Sequence, residues 1–241
     1  MLISDFIHFR DLDVDCPESW SGRRILSIDI DWAHDEVLED TVNMIEQAGI
    51  KACFFVTHDT PLLSRLRDNP NFELGLHPNF DPLLRGEMGE GARDIIAKLT
   101  RIVPEATVLR SHAMTTSGRW LEVYREAGIT HLSNYIMFGN RHIQPVRHIN
   151  GLLEVPVYFA DDGLLYQVST DQVSFDINLD ISVSLNGLQV YNFHPIHVFL
   201  NCENLNRYER ARMCLDNPRG LRQMRSANEG VRTWLEKILT N

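Results

Sequence analysis

Little in this chain suggests a disulfide scaffold, a membrane protein or a nucleic-acid binder. Its four cysteines, Cys16, Cys53, Cys202 and Cys214, form no Cys-x-x-Cys pair and no zinc-finger spacing, so reduced thiols in a cytoplasmic protein are expected. No apolar stretch approaches the ~20 residues that a membrane-spanning helix requires. The opening run from Met1 to Phe9 meets Asp5 before a signal-peptide core could form. Cations are scarce: 23 Lys and Arg stand against 33 Asp and Glu, a formal net charge of −10. That balance argues against a nucleic-acid partner, because phosphate binding needs clustered positive charge. The one basic cluster, Arg207 to Arg225, is interleaved with Glu209 and Asp216 and reads as a solvated helical face. Low-complexity tracts and linkers rich in Gly, Pro or Ser are also missing. Residues 1–241 are therefore expected to form a single domain, large enough to bury roughly 70–75% of the unfolded chain's surface.

What recurs is a unit of helix, glycine and strand. Asp35 is placed to cap a helix with Leu38, Thr41, Val42, Ile45 and Ala48 on one face, and Gly49 ends it. Ile50 to Val56 then reads as a buried strand rich in β-formers. Thr116 or Ser117 opens a second such helix, stopped by Gly128, with Ile129 leading into a short strand. Phe72–Leu76, Thr107–Leu109, Leu153–Val157 and Leu188–Phe193 are further strand candidates. Helices are expected around Ala92–Ile102 and, capped by Asn228, at the C-terminal end. Strands alternating with helices at this spacing imply an α/β fold with a parallel sheet under helical cover. The pattern leaves barrel and open sheet as alternatives. The stretch from Phe138 to Asn186 has no clean period.

The chemistry collects where strands end. In Ile25-Leu-Ser-Ile-Asp-Ile-Asp31, strand alternation sends Ser27, Asp29 and Asp31 to one face and Leu26, Ile28 and Ile30 to the other. Two neighbouring carboxylates at the end of a buried strand need cations to offset their desolvation, such as a metal ion for one and an arginine for the other. His77 follows Glu73-Leu-Gly-Leu76, with Asp81 four residues on. Arg110 follows Thr107-Val-Leu109, with His112 close behind. His194 ends the last strand candidate, with His197 three later. In parallel α/β folds the carboxyl ends of the strands form the rim where active sites are built. Singly, each residue has a simpler reading: Asp31 as a helix cap, Asp81 before Pro82 as a turn, the histidines as hydrogen-bonded loop residues. Four rim segments in concert favour a site.

The runs Ile-Asp-Ile-Asp, Ile-Lys-Ala-Cys-Phe-Phe-Val and Glu-Leu-Gly-Leu-His-Pro-Asn-Phe-Asp resemble the polysaccharide deacetylases with a NodB-homology domain, carbohydrate esterase family four. The likeness spans roughly residues 24 to 200. The Pro-Asn-Phe after the histidine is similar to the branch found with O-antigen and surface-polysaccharide synthesis, such as WbmS-like proteins. The resemblance implies an irregular (β/α) barrel of parallel strands with outer helices. It implies a divalent metal, zinc foremost with Co, Mn or Ni as alternatives, and an N-acylated sugar, free or carrier-linked, as substrate. By resemblance Asp29 is the catalytic base, Arg110 its partner and His194 the general acid, with His197 as the alternative. Asp31 and His77 become metal ligands. The third ligand slot, a histidine in the family, falls on Asp81, with His112 as a possible substitute. Trp32, Asn79, His112 and His197 are the expected substrate contacts. The implied reaction is metal-dependent removal of an N-acetyl or other N-acyl group. Cyclic-imide hydrolysis, deformylation and an inactive sugar-binding role are the competing readings.

Overall fold

The computed structural model describes residues 5–87, 89–170 and 186–240. Among these residues nine strands form one sheet: β1 (Arg24–Asp29), β2 (Ala52–Val56), β3 (Phe72–Leu76), β4 (Val108–Leu109), β5 (His131–Leu132), β6 (Val146–Arg147), β7 (Leu153–Glu154), β8 (Phe159–Ala160) and β9 (Gln189–Phe193). Their spatial order is β6-β7-β5-β4-β3-β2-β1-β9-β8. All neighbours are parallel except β6 and β7. The sheet curls into a half-barrel. β1 lies at its heart, pairing Ile28 with Phe54 of β2 on one side and with Phe193 of β9 on the other. The carboxyl ends of β1, β2, β3, β4 and β9 therefore converge on one rim, as a parallel sheet dictates.

The α-helices among the described residues are α1 (Asp35–Ala48), α2 (Leu62–Asp68), α3 (Asp81–Leu84), α4 (Ala92–Ile102), α5 (Leu121–Glu126) and α6 (Asp161–Ser169) between strands, and α7 (Pro195–Leu200), α8 (Leu205–Ala211), α9 (Pro218–Gln223) and α10 (Val231–Thr240) after β9. Strand alternation sorts the core into two parts. Leu26 and Ile28 of β1, with Phe54 and Phe193, face the helices and join Val42 and Ile45 of α1 and Trp234 of α10. Ile25, Phe55, Val108 and Val190 face inward and pack against Phe9, Leu12 and Trp20 of the N-terminal segment, which closes the bottom of the half-barrel. Above that apolar floor, Ser27 and Asp29 occupy the next inward positions of β1.

The expected α1 is present and ends at Gly49, whose φ of +66° suits a residue without Cβ. Its cap is His34, not Asp35: the His34 side chain accepts the Glu36 N–H, while the Asp35 carboxylate takes the Thr60 hydroxyl. The expected strand from Leu153 to Val157 shortens to β7. The aperiodic stretch after Phe138 contains β6, β7, β8 and α6, and its residues 171–185 lie outside those described.

Candidate active site

Arg110 follows β4 and is fully buried, its guanidinium 4.3 Å from the centre of the Phe55 ring. A charge removed from water in this way requires partners on every side. Nη1 donates to Asp29 Oδ1 and Ser27 Oγ, both at 2.9 Å, and to Asn192 Oδ1 at 2.5 Å. Nη2 donates to Ser133 Oγ at 2.8 Å and Nε to the Ser133 carbonyl at 3.1 Å. Asn192 Nδ2 completes the frame by donating to Asp29 Oδ2 at 2.9 Å. Asp29 is thus ion-paired and held at both oxygens, by Arg110 after β4 and by Asn192 of β9.

After Asp29 the alternation of β1 stops. Asp31 and Trp32 adopt left-handed backbone, φ +39° and +53°, a conformation that costs side-chain-bearing residues of order 1 kcal/mol each. The Trp32 N–H is held by Thr57 Oγ1 at 3.2 Å. This turn brings Asp31 Oδ1 to 3.1 Å from His77 Nε2 and 3.4 Å from His112 Nδ1. His77 Nδ1 lies 2.6 Å from the Arg110 carbonyl, which can only accept, so Nδ1 carries a proton and Nε2 is the ring atom turned to Asp31. Asp31 Oδ1 is buried and has no hydrogen-bond partner among the described residues. A proton or a metal ion shared with the imidazoles would satisfy it. Asp31, His77 and His112 each offer a ligand atom, all within 4.8 Å of one another, and this donor set suits a divalent ion. Burial works to raise the Asp31 pKa, but the His112 and His77 imidazoles outweigh it and hold the carboxyl well below its ordinary range. Asp31 in turn pushes His112 up.

On the opposite side stands His194, at the end of β9. Asp161, fully buried at the start of α6, accepts the His194 N–H at 2.8 Å through Oδ2 and pairs with His194 Nδ1 at 2.6 Å through Oδ1. His194 Nε2 then faces Asp29 Oδ2 at 3.8 Å and Asp31 Oδ2 at 3.5 Å. Burial alone would lower the His194 pKa; the Asp161 charge and hydrogen bond reverse this and raise it well above the ordinary value. The imidazolium form is therefore favoured. Asp161 is correspondingly held low, against its own burial, by His194 and His197. His197 approaches Asp161 Oδ2 at 3.3 Å and packs edge-on to Tyr208. Asp161, His194 and His197 are also close enough to share an ion, but both Asp161 oxygens already accept from His194.

An ion-paired carboxylate, a buried imidazole–carboxylate pair and a three-donor group thus meet at one rim. The sequence model of a family described as WbmS-like: Polysaccharide deacetylase matches residues 26–212. The chain belongs to this WbmS-like polysaccharide deacetylase family. A crystal structure of a candidate polysaccharide deacetylase involved in O-antigen biosynthesis, from Bordetella bronchiseptica, is 38% identical over 99% of this chain and 98% of that one, with a TM-score of 0.92. A candidate polysaccharide deacetylase from Mycobacterium smegmatis is 15% identical over 71% of this chain and 77% of that one, with a TM-score of 0.47. A 4-alpha-glucanotransferase from Thermococcus litoralis is 13% identical over 71% and 32%, with a TM-score of 0.44. No curated protein matches the chain.

Within this WbmS-like chain, the structure gathers Asp29, Asp31, His77, Arg110, His112 and His194 at one point. Asp81 is not part of the three-donor group. It opens α3 together with Pro82, and its N–H donates to Asn79 Oδ1 at 2.9 Å, the arrangement of a turn. Trp32 and Asn79 line cavities beside the site, as does His197. The sequence reading missed Asp161, Asn192 and Ser133, and placed Ser27 on the Asp29 face without giving it a role. A polar residue inside an apolar strand was the available signal for Ser27 and Asn192. Asp161 carried only the Asp-Asp-Gly of a helix start. Among the described residues, no helix is long and apolar enough to cross a membrane.

Proposed function

We propose that this chain hydrolyses the N-acyl group, in the simplest case N-acetyl, of a sugar in surface-polysaccharide or O-antigen biosynthesis. It would do so as one catalytic domain in the cytoplasm. The observation that carries the reading is that Asp29 Oδ2 lies 3.8 Å from both His77 Nε2 and His194 Nε2. An anionic base and a cationic acid therefore address the same small space.

Amide hydrolysis needs both. Water must lose a proton as it attacks the acyl carbon, and the nitrogen must gain one before the C–N bond breaks. Arg110 and Asn192 hold Asp29 so that it takes the water's proton without turning away. His194, charged through its bond to Asp161, donates from Nε2 to the departing nitrogen. Asp31, His77 and His112 would hold the divalent ion, zinc foremost with Co, Mn or Ni as alternatives. When bound, that ion supplies positive charge that acidifies water and polarises the acyl oxygen. His112, supplied from the turn after β4, provides the third donor that an inactive sugar-binding homologue would lack.

The test is acetate release from N-acetyl sugars, with one free amine formed per acetate. Asp29→Asn and His194→Gln are each expected to lower the rate by about 10²–10⁴-fold while the protein stays folded. Full activity in either variant would remove that residue from the mechanism.

A further inference from the structure

Two cavities flank the reacting groups and share Trp32 as a wall, 47% exposed and edge-on to His112 at 5.3 Å between ring centres. Asp31, His112 and His194 line the first, about 420 Å³; His77 and Asn79 line the second, about 610 Å³. Each falls within the ~300–1,000 Å³ typical of a small-ligand site. An amide held on the divide has two ends, and the placement of the reacting groups decides which end enters which cavity.

The departing nitrogen must reach His194 Nε2, the proton donor of the proposed reaction. His194 lines the first cavity, so the sugar carried on that nitrogen lies there. The lining suits hydroxyl groups, because the imidazoles of His112, His194 and His197 stand with the carboxylates of Asp162, Glu209 and Asp216, donors and acceptors together. The acyl carbon is planar and carries its chain on the side away from the nitrogen. That side is turned from His194 towards His77, and so towards the second cavity.

The second cavity is built differently. Ile95, Leu99 and Ile102 recur at i, i+4 and i+7 on α4, so they share one face and span about 10 Å at ~1.5 Å per residue. Pro82 and Leu83 of α3 add to that apolar wall. Leu99 is buried and the other four are half-buried. Among the described residues, the charged members of the lining are Asp59, Glu87, Glu90 and Lys98. All four are exposed, and Lys98 pairs with Glu90. Charge therefore marks the mouth and aliphatic carbon the inside. A single acetyl methyl would cover little of this face and leave the rest against water. Each further methylene buried there contributes roughly fourfold in affinity.

We infer that the preferred N-acyl group is longer than acetyl, an aliphatic chain of about four to eight carbons matched to that ~10 Å face. It lies along α4 in the second cavity while the sugar occupies the first. Water adds to the acyl carbon, the C–N bond breaks, and the chain leaves as a carboxylate and the sugar as an amine. Acetyl is then the smallest acyl group the site accepts rather than the one it fits best. The inference rests on the N-acyl-sugar reading above, which makes His194 the proton donor.

Amine release would be measured on methyl glycosides of glucosamine and galactosamine carrying N-acetyl, N-butanoyl or N-hexanoyl groups. In whichever sugar series reacts, kcat/KM should rise by at least about 10-fold from acetyl to butanoyl. The gain should come mainly through a lower KM, since the added methylenes are buried equally before and during reaction. Ile95→Trp fills the cavity and should reduce the hexanoyl-to-acetyl ratio of kcat/KM by at least about 10-fold; if that variant does not fold, the wild-type series decides. Acetyl cleaved as fast as the longer chains, or faster, overturns the inference and leaves the hydrolase reading intact. So does an unchanged ratio in folded Ile95→Trp. No amine from any member overturns the hydrolase reading, and the inference with it.

Discussion

The His194 imidazole and the buried Asp161 carboxylate form a 2.6 Å pair that fixes which ring nitrogen faces the site. Nδ1 is committed to Asp161, and Nε2 is left free for the proposed acid role. The same pair raises the His194 pKa well above its ordinary value. An acid must be protonated to work, so this keeps it competent to higher pH. Asp161→Asn removes the charge and leaves one acceptor oxygen for the two His194 donors. The alkaline limb of the pH–rate profile should then move to lower pH, with the rate at pH 8 falling by about 10–100-fold. An unchanged alkaline limb would show that Asp161 has only a packing role.

Arg110 and Asp29 make a second test. Arg110→Met leaves the Asp29 carboxylate buried without its counter-charge, and the loss of stability is expected at about 3–5 kcal/mol in chemical denaturation. Asp29→Asn introduced into that variant removes the stranded charge and should recover a substantial part of the loss. A double variant no more stable than Arg110→Met would mean that the cost comes from lost packing against Phe55 instead.

Much of this site was legible in the sequence. Asp29, His77, Arg110 and His194 each follow a strand whose apolar residues mark it, and a parallel sheet must carry such ends to one rim. Ser27 and Asp29 do share the inward face. Asp31 reaches the site by a different route, since β1 ends first and a left-handed turn at Asp31 and Trp32 replaces the alternation. The family resemblance put the third donor at Asp81, four residues after His77, with His112 as a substitute. Pro82 turns the chain there into α3, and the donor that joins Asp31 and His77 is His112. Its loop is bent by left-handed backbone at Ala113 and Met114, φ +53° and +54°. No propensity marks such a bend in residues other than glycine. Asp161 stayed hidden because β8 before it is two residues long and gives no period to read.

Gly75 precedes His77 by two residues in β3 and illustrates how tightly the floor of the site is built. A Cβ there would lie 2.8 Å from two Phe55 ring carbons and 2.9 Å from Val108 Cγ1. Phe55 cannot yield freely, because the Arg110 guanidinium packs on its face. Gly75→Ala should therefore destabilise the protein by about 1–3 kcal/mol, the usual cost of overpacking a filled core. A melting temperature equal to that of the parent would contradict this packing.

Glu73, on β3, is buried and accepts the Phe9 and Arg10 N–H groups at 2.8 and 3.2 Å. Burial outweighs those bonds and pushes its pKa up to about 7 from 4.5. The folded state therefore holds this proton more tightly than the unfolded chain. Its contribution is full below about pH 4.5 and is lost as pH rises towards 7, an effect of up to about 3 kcal/mol. His131 acts oppositely: burial lowers its pKa to about 4, so its contribution is lost as pH falls from 6.5. The two overlap, so the informative quantity is the difference between wild-type and Glu73→Gln stability curves. That difference should change steadily between pH 4.5 and 7; a flat difference would mean that Glu73 stays ionised throughout.

The three-donor group of Asp31, His77 and His112 is tested most directly by elemental analysis of the purified protein. About one equivalent of divalent metal is expected in the wild type and in Asp81→Asn. His77→Ala and His112→Ala should lose it, with acetate release falling in parallel. Full metal retention in His112→Ala, or undiminished acetate release from wild-type protein stripped of metal by a chelator, would contradict the account.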